Sequence, residues 1–329
     1  MQEILTAAFS GTQIENDGDS APIPLFPAHR VQGARQPRSR QLPFVHQAEI
    51  PCPEARYYPP PMLELDVSFN VEERALWCYM KPNGRPSFTL SMLAELNRLH
   101  GWLNQPSISH PLFYILGSRL PGIYNLGGDL GYFIDCIRSG DRAGLTRYAF
   151  SCVEAVHSVQ TGFTLPIISI GLVEGDALGG GLEGALSFDI LVAERGAKMG
   201  FPEVLFGLFP GMGAYSLLSR KIGDKAARGM MFEGRLYKAE EFHEMGIVDV
   251  LAPVGGGAAA VHGWIAENCG RHRLLHKMNQ IQRQRAPVSL KELQDITLLW
   301  VDAAMSLDAG NLRRMVRLLA AQRSNSRVR

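Results

Sequence analysis

Residues 165–194, "LPIISIGLVEGDALGGGLEGALSFDILVAE", decide how this chain is built. An apolar, β-branched run ends in a loop; three consecutive glycines follow, then a short apolar run, then a second apolar strand. A continuous apolar run of this length, bounded by turn residues, reads as a strand covered on both faces. Gly loses more conformational entropy on folding than any other residue, so Gly179, Gly180 and Gly181 together need a reason. A tight strand-to-helix turn is one. Close approach of another group to the backbone is the sharper one, because the first N–H groups of a helix have no partner within it and point outward. Glu183 stands three residues beyond Gly180, so on a helix its carboxylate shares a face with that amide.

The same pattern extends in both directions. "MLELDVSFNVEERALWCYMKP" (62–82) reads as a hairpin turning around "VEER", and "SFTLSMLAELNRLHGWLNQ" (87–105) as a helix behind a Ser/Thr start. "PLFYILGS" (111–118) is a buried strand, followed by helices over "GYFIDCIRSG" (131–140) and "DRAGLTRYAFSCVEAVHSVQTG" (141–162). "FDILVAE" (188–194) and "AKMGF" (197–201) add strands, and helical patterns dominate from about 214 onward. Strands alternating with helices give an α/β fold with predominantly parallel pairing. Ten of the 20 prolines lie within residues 1–61, a composition without core-facing period. The expected organisation is an extended arm over 1–60, a core domain over 61–252 and a helical region over 253–329.

Net charge is +1, so no global field recruits nucleic acid or a membrane surface. Cys52, Cys78, Cys136, Cys152 and Cys269 lie far apart without CxxC or Cys/His ligand spacing, which argues against a zinc site and a disulfide framework and suits a reducing compartment. No apolar stretch nears the ~18 residues a membrane span needs, and no secretory start is legible; a cytoplasmic protein without metal or cofactor is expected. Residues 271–285 and 311–329 are rich in Lys and Arg and contain no acid. A solvated helix face is the ordinary meaning of such runs. Arg313, Arg314 and Arg317, with Arg283 and Arg285, are candidates for docking an acidic partner.

A second glycine turn, "YNLGGDL" (124–130), also follows a buried strand. Two helix-start amides converging from separate turns would form a two-donor oxyanion hole. There is no phosphate-loop motif and no complete dinucleotide fingerprint. Glu203, in "MGFPEVLFGLFPGMGAY" (199–215), sits against a strongly apolar stretch that would raise its pKa into general acid–base range. Taken singly, each glutamate reads as a paired structural carboxylate; with two glycine turns ahead of them, they read as a catalytic pair. Asp129 is expected to cap the next helix. Cys152 and His157 point to different faces of a helix, and Glu174 and Asp176 read as solvated loop acids.

"NLGGDL", "GDALGGGLEGALSFDILVAE", "GFPEVLFGLFPGMGA", "LSRKIG" and "GIVDVLAP" resemble, in order and spacing, the enoyl-CoA hydratase/isomerase (crotonase) superfamily over about 62–320. "YNLGGDL", "PEVLFGLFPGMGAYS" and "WVDAAMSLDAGNLRRM" are similar to its bacterial diffusible signal factor synthases. The resemblance implies a crotonase fold of repeated ββα units with a C-terminal helical region. It implies oxyanion donors at Gly128 (with Gly127 one residue away) and Gly180, both family glutamates at Glu183 and Glu203, and an acyl pocket walled by Met212 and Trp300. Ordinary core packing is the alternative for those two. The implied reaction is dehydration of a 3-hydroxyacyl thioester, with one Glu taking the α-proton and the other protonating the departing hydroxyl. Which does which stays open. Signal synthases then hydrolyse the thioester to a cis-2-unsaturated fatty acid. The implied partners are an acyl carrier protein (or acyl-CoA), copies of the chain in a homotrimer or hexamer, and a sensor protein. An enoyl-CoA hydratase and a non-catalytic crotonase-like binding protein are the alternatives.

Overall fold

The computed structural model describes residues 59–106 and 108–327. The arm expected over 1–60 lies almost wholly outside the described residues. The alternating pattern of residues 65–80 forms the hairpin read from it: β1 (Leu65–Asn70) and β2 (Ala75–Met80) pair antiparallel across Val71–Arg74. β2 then begins a parallel run with β3 (Phe113–Ser118), β5 (Ile168–Val173), β7 (Ile190–Glu194) and β10 (Val250–Ala252), in the order β1-β2-β3-β5-β7-β10. Side chains alternate across this sheet. Leu76, Cys78, Met80, Tyr114 and Leu116 enter the larger core, while Ala75, Trp77, Phe113, Ile115, Ile168 and Ile170 enter a second core on the opposite face. Helices cover both faces, which is why these strands read as continuous apolar runs.

A second, smaller sheet accounts for the glycine turns. It consists of β4 (Ile123–Asn125), β6 (Asp176–Leu178), β8 (Lys198–Gly200) and β9 (Leu236–Lys238), in that order. Each of β3, β5 and β7 feeds one of its strands and then a helical segment. β4 leads to α2 (Leu130–Ser139) and α3 (Arg142–Gln160), and β6 leads to α4 (Gly180–Ala185). β8 leads to a 3-10 turn at Pro202–Phe206 and then α5 (Ala214–Ile222). These are the expected repeated ββα units. α1 (Leu90–Leu103), capped by Thr89, packs on α3. α6 (Asp224–Glu233), α7 (Ala239–Glu244), α8 (Gly257–Asn268), α9 (His272–Arg285), α10 (Leu290–Met305) and α11 (Ala309–Arg327) complete the chain. α10 lies along α3, and α11 against α2.

Two features differ from the sequence reading. The apolar run after Leu165 forms one strand, β5, but the segment between it and the glycines, read as a loop, carries the short strand β6, which begins at Asp176. β9 and β10 also interrupt the region read as helical, because three-residue strands are too short to display a period.

The three glycines have separate causes. Gly179 takes φ 53° and ψ −127°, a left-handed backbone that side chains resist. A Cβ on Gly180 would lie 2.6 Å from Met212 Sδ, and one on Gly181 only 2.1 Å from the carbonyl oxygen of Asn125. In the other turn, a Cβ on Gly127 (φ 94°) would lie 2.9 Å from Gly180 N. The two turns thus meet backbone to backbone. Gly181→Ala should destabilise the protein by about 1–3 kcal/mol, since the opposing atom is a carbonyl oxygen that cannot swing aside. Gly229→Ala, on α6 with nothing within 4 Å of its Cβ position, should instead stabilise by roughly 0.5–1 kcal/mol. Urea denaturation of the two variants would refute this assignment if their effects had the same sign.

Candidate active site

The first turn is tied down by its neighbours. Gly127 N–H donates to Asn125 Oδ1 (2.8 Å), and Gly127 C=O accepts from Phe88 N–H (2.8 Å). Asp129 caps α2 as expected, accepting from Tyr132 N–H at 3.0 Å, and its carboxylate pairs with Arg85 at 2.7 Å. Tyr148 of α3, wholly buried, accepts the Asp129 N–H at 3.0 Å and donates to Phe88 C=O at 2.5 Å. With its neighbours so committed, the Gly128 N–H has no acceptor among the described residues, and neither has the Gly180 N–H at the start of α4. A Cβ on Gly180 would lie 3.4 Å from Gly128 N, so the two free amides flank one small space.

Glu183 lies on the first turn of α4 and is 1% exposed. Its Oε2 accepts the Met212 N–H, and the Ala214 N–H also bonds the carboxylate. Burial, and then the nearby Glu203, push its carboxyl well above the usual range despite those donors. Glu203 enters from the 3-10 turn after β8, with Oε1 against Gly179, where a Cβ would approach to 2.5 Å. Its Oε2 is buried and has no hydrogen-bond partner among the described residues. Burial pushes the Glu203 carboxyl up to about 7. Two such carboxyls titrate as one unit, and mutual repulsion keeps a proton on the pair near neutrality.

One cavity gathers Gly128, Gly180, Glu183, Glu203, Met212 and Trp300. Trp300 of α10 meets Phe133 edge-on at 5.0 Å between ring centroids. Phe206, Leu208 and Leu318 extend the apolar wall, and Gln322 of α11 also lines the cavity. Tyr148, which lines the cavity, was not legible as a site residue, because its helix position reads only as core. Arg313, Arg314 and Arg317 are exposed on α11, the helix that supplies Leu318 and Gln322. Arg283 and Arg285 do not join them. Arg283 forms a mostly buried ion pair with Asp189 at 2.6 Å, and both arginines line a separate polar cavity with Lys221. Among the described residues, no group of three or more His, Cys, Asp or Glu could hold a metal ion, and no helix is long and apolar enough to cross a membrane.

Residues 113–267 match the enoyl-CoA hydratase/isomerase family model. Enoyl-CoA isomerase/hydratase fer4 of Mycosarcoma maydis is 38% identical over 179 residues, covering 53% of this chain and 63% of that one. Probable mitochondrial enoyl-CoA hydratase 2 of Arabidopsis thaliana is 29% identical over 177 residues, covering 53% and 55%. The chain therefore spans less than two thirds of the length of these curated relatives. The crystal structure of an enoyl-CoA hydratase from Bacillus halodurans superposes with a TM-score of 0.65 at 20% identity, covering 77% of this chain and 99% of that one. The fold is thus the crotonase fold, and residues 113–267 are similar to the enoyl-CoA hydratase/isomerase family.

The carboxyl pair has a consequence for stability. A carboxyl raised from the ordinary value to about 7 stabilises the folded state below its unfolded pKa, and that contribution is lost as pH rises through the folded value. Unfolding free energy should therefore fall between about pH 4.5 and 7, by about 3 kcal/mol at most for Glu203 alone. Glu203→Gln should flatten that slope. An equal slope in both proteins, measured by denaturant titration across this range, would show that the Glu203 carboxyl is not raised.

Proposed function

We propose that this chain is a crotonase-fold dehydratase and thioesterase that converts a 3-hydroxyacyl carrier protein to a cis-2-unsaturated fatty acid, a diffusible signal. The observation that carries the reading is the cavity in which the buried Glu183 and the half-buried Glu203, its Oε2 inaccessible, face two amides without acceptors among the described residues. The amides of Gly128 and Gly180 would receive the thioester oxygen, so that loss of the α-proton leaves an enolate-like oxyanion between two donors. A pair sharing one proton contains both partners of an elimination: the ionised carboxylate takes the α-proton, and the protonated one gives its proton to the 3-hydroxyl as water departs. The proton count on the pair is unchanged. Hydrolysis reuses the same parts. A carboxylate takes a proton from water attacking the carbonyl, the tetrahedral oxyanion occupies the same two-amide site, and the thiol leaves protonated. Met212 and Trp300 would wall the acyl chain. The exposed Leu274, Met278 and Ile281 of α9, spaced at four and three residues, support a homo-oligomer.

Glu183→Gln and Glu203→Gln should each remain folded and lose dehydration by roughly 10²–10⁴-fold. Product formation from 3-hydroxyacyl carrier protein, followed by mass spectrometry of both enoyl thioester and free acid, measures each step. Near-parental rates in either variant would remove that glutamate from the mechanism.

The second reading, an enoyl-CoA hydratase acting on free CoA esters, is favoured by the names of the matched relatives. The exposed arginines of α11 separate the two. An acidic carrier protein would dock on Arg313, Arg314 and Arg317 beside the residues that line the cavity. Neutralising the three should raise KM for the carrier-bound substrate and flatten its salt dependence, leaving kcat close to parental. Equal turnover of carrier and CoA substrates, unmoved by the charge change, would favour the hydratase.

A further inference from the structure

The loop "PGMG" (210–213) is gripped by Glu183 at one peptide atom and by α10 at another. Met212 N–H donates to Glu183 Oε2. The carbonyl of the same peptide unit, Gly211 C=O, accepts the Thr297 hydroxyl at 2.9 Å. A peptide unit is planar and rigid. Holding its carbonyl end therefore aims its N–H end.

The rest of α10 holds the same loop. A Cβ on Gly211 would lie 2.3 Å from Trp300 Cγ, and one on Gly213 would lie 3.1 Å from Leu293 Cδ2. Leu293, Thr297 and Trp300 succeed one another at four and three residues on one buried helix face. Leu293 and Trp300 fill space. Thr297, fully buried between them, brings a hydroxyl that packing does not require, since Val has the same shape and no polar atom to desolvate.

We propose that Thr297 is a positioning residue for Glu183, acting through the Gly211–Met212 peptide, so that α10 tunes the carboxyl pair. Donation to the carbonyl polarises the peptide and strengthens its N–H as a donor, which favours ionised Glu183. The titratable groups facing Glu183 are the Glu203 carboxyl from the 3-10 turn, and the Cys152 thiol and Tyr148 hydroxyl from α3. Among the described cavity-lining residues, α10 contributes Trp300 and α11 contributes Leu318 and Gln322, none of them titratable. Losing the Thr297 bond should therefore raise the Glu183 pKa whichever role that residue has in the reaction. The relay rests on geometry; its catalytic consequence rests on the function proposed above.

The experiment reads the carboxyl directly. Protein carrying ¹³C-carboxyl glutamate is titrated by NMR, with the Glu183 signal identified by its loss in Glu183→Gln. Thr297→Val should raise the Glu183 midpoint by roughly half to one pH unit, about the net worth of one hydrogen bond. Thr297→Ser should keep the parental midpoint. A folded Thr297→Val protein titrating with the parental midpoint overturns the relay, as does a Ser variant that shifts like Val. If the Val variant does not fold, the parental protein decides: the Met212 amide proton and the Thr297 Cβ signals must follow the Glu183 titration, and a flat Thr297 response overturns the proposal. In turnover assays, kcat should fall several-fold in Thr297→Val at near-parental KM, with the pH–rate profile displaced upward. A displaced carboxyl titration without any turnover in the parental protein would sink the proposed function and leave the relay standing.

Discussion

The contact on which the rest depends is between two stretches of backbone. The turn after β4 and the turn into α4 approach so closely that Asn125 C=O occupies the space a Cβ on Gly181 would need. Across the same contact, Gly127 leaves no room for one beside Gly180 N. Side chains are excluded at the contact, so the relative placement of the Gly128 and Gly180 amides is fixed by main-chain geometry rather than by rotamers. Donors set in this way cost no reorganisation when charge develops between them. The small sheet exists for this purpose: β4, β6 and β8 are too short to stabilise much, yet they hold the turns in register.

That placement forces a cost on the carboxyls. Glu183 follows Gly180 on a fully buried turn, and Glu203 passes Gly179 to reach the same cavity, so Glu183 loses its hydration and Glu203 loses it at Oε2. The main chain offsets part of this at Glu183, through the Met212 and Ala214 amides. Glu203 Oε2 lacks such compensation. A group left in this state lowers stability at neutral pH and gains reactivity by the same physics. The helices after residue 257 then act on the loop rather than on the carboxyls themselves. α10 clamps Gly211 between Trp300 and Thr297, and the loop passes that constraint to Glu183.

What the sequence made legible follows from the range of each signal. The apolar run before three glycines specified strand, turn and helix because all of its determinants are local. The hairpin around Val71–Arg74 and the Asp129 cap were legible for the same reason. The small sheet was not, since three residues carry no period. Arg283 read as part of a basic surface because a charge run does not reveal that Asp189, 94 residues away, neutralises it. Tyr148 and Thr297 were hidden more completely: their helix positions predict burial, and only the fold shows which backbone atoms their hydroxyls meet. The identity of Glu183, Glu203, Gly128 and Gly180 as a group came from family resemblance joined to two motifs; composition and spacing alone left each glutamate open to a structural role.

The apolar walls of the cavity bear on the proposed pairing of two reactions. Trp300, Phe133, Leu208 and Leu318 would shield a bound thioester from bulk water, which suits elimination but limits the water open to hydrolysis. The stoichiometry removes the conflict. Dehydration releases one water between the two carboxyls, and hydrolysis of the enoyl thioester consumes one, so a 3-hydroxyacyl thioester becomes an enoic acid and a thiol with no net water. The expelled molecule would emerge beside the carboxylate suited to activate it and within reach of the carbonyl held by the two amides. On the proposed function, an apolar cavity would then aid both steps: it would hold the one water that the second step needs and limit the bulk water that would weaken the electrostatic contacts of the first.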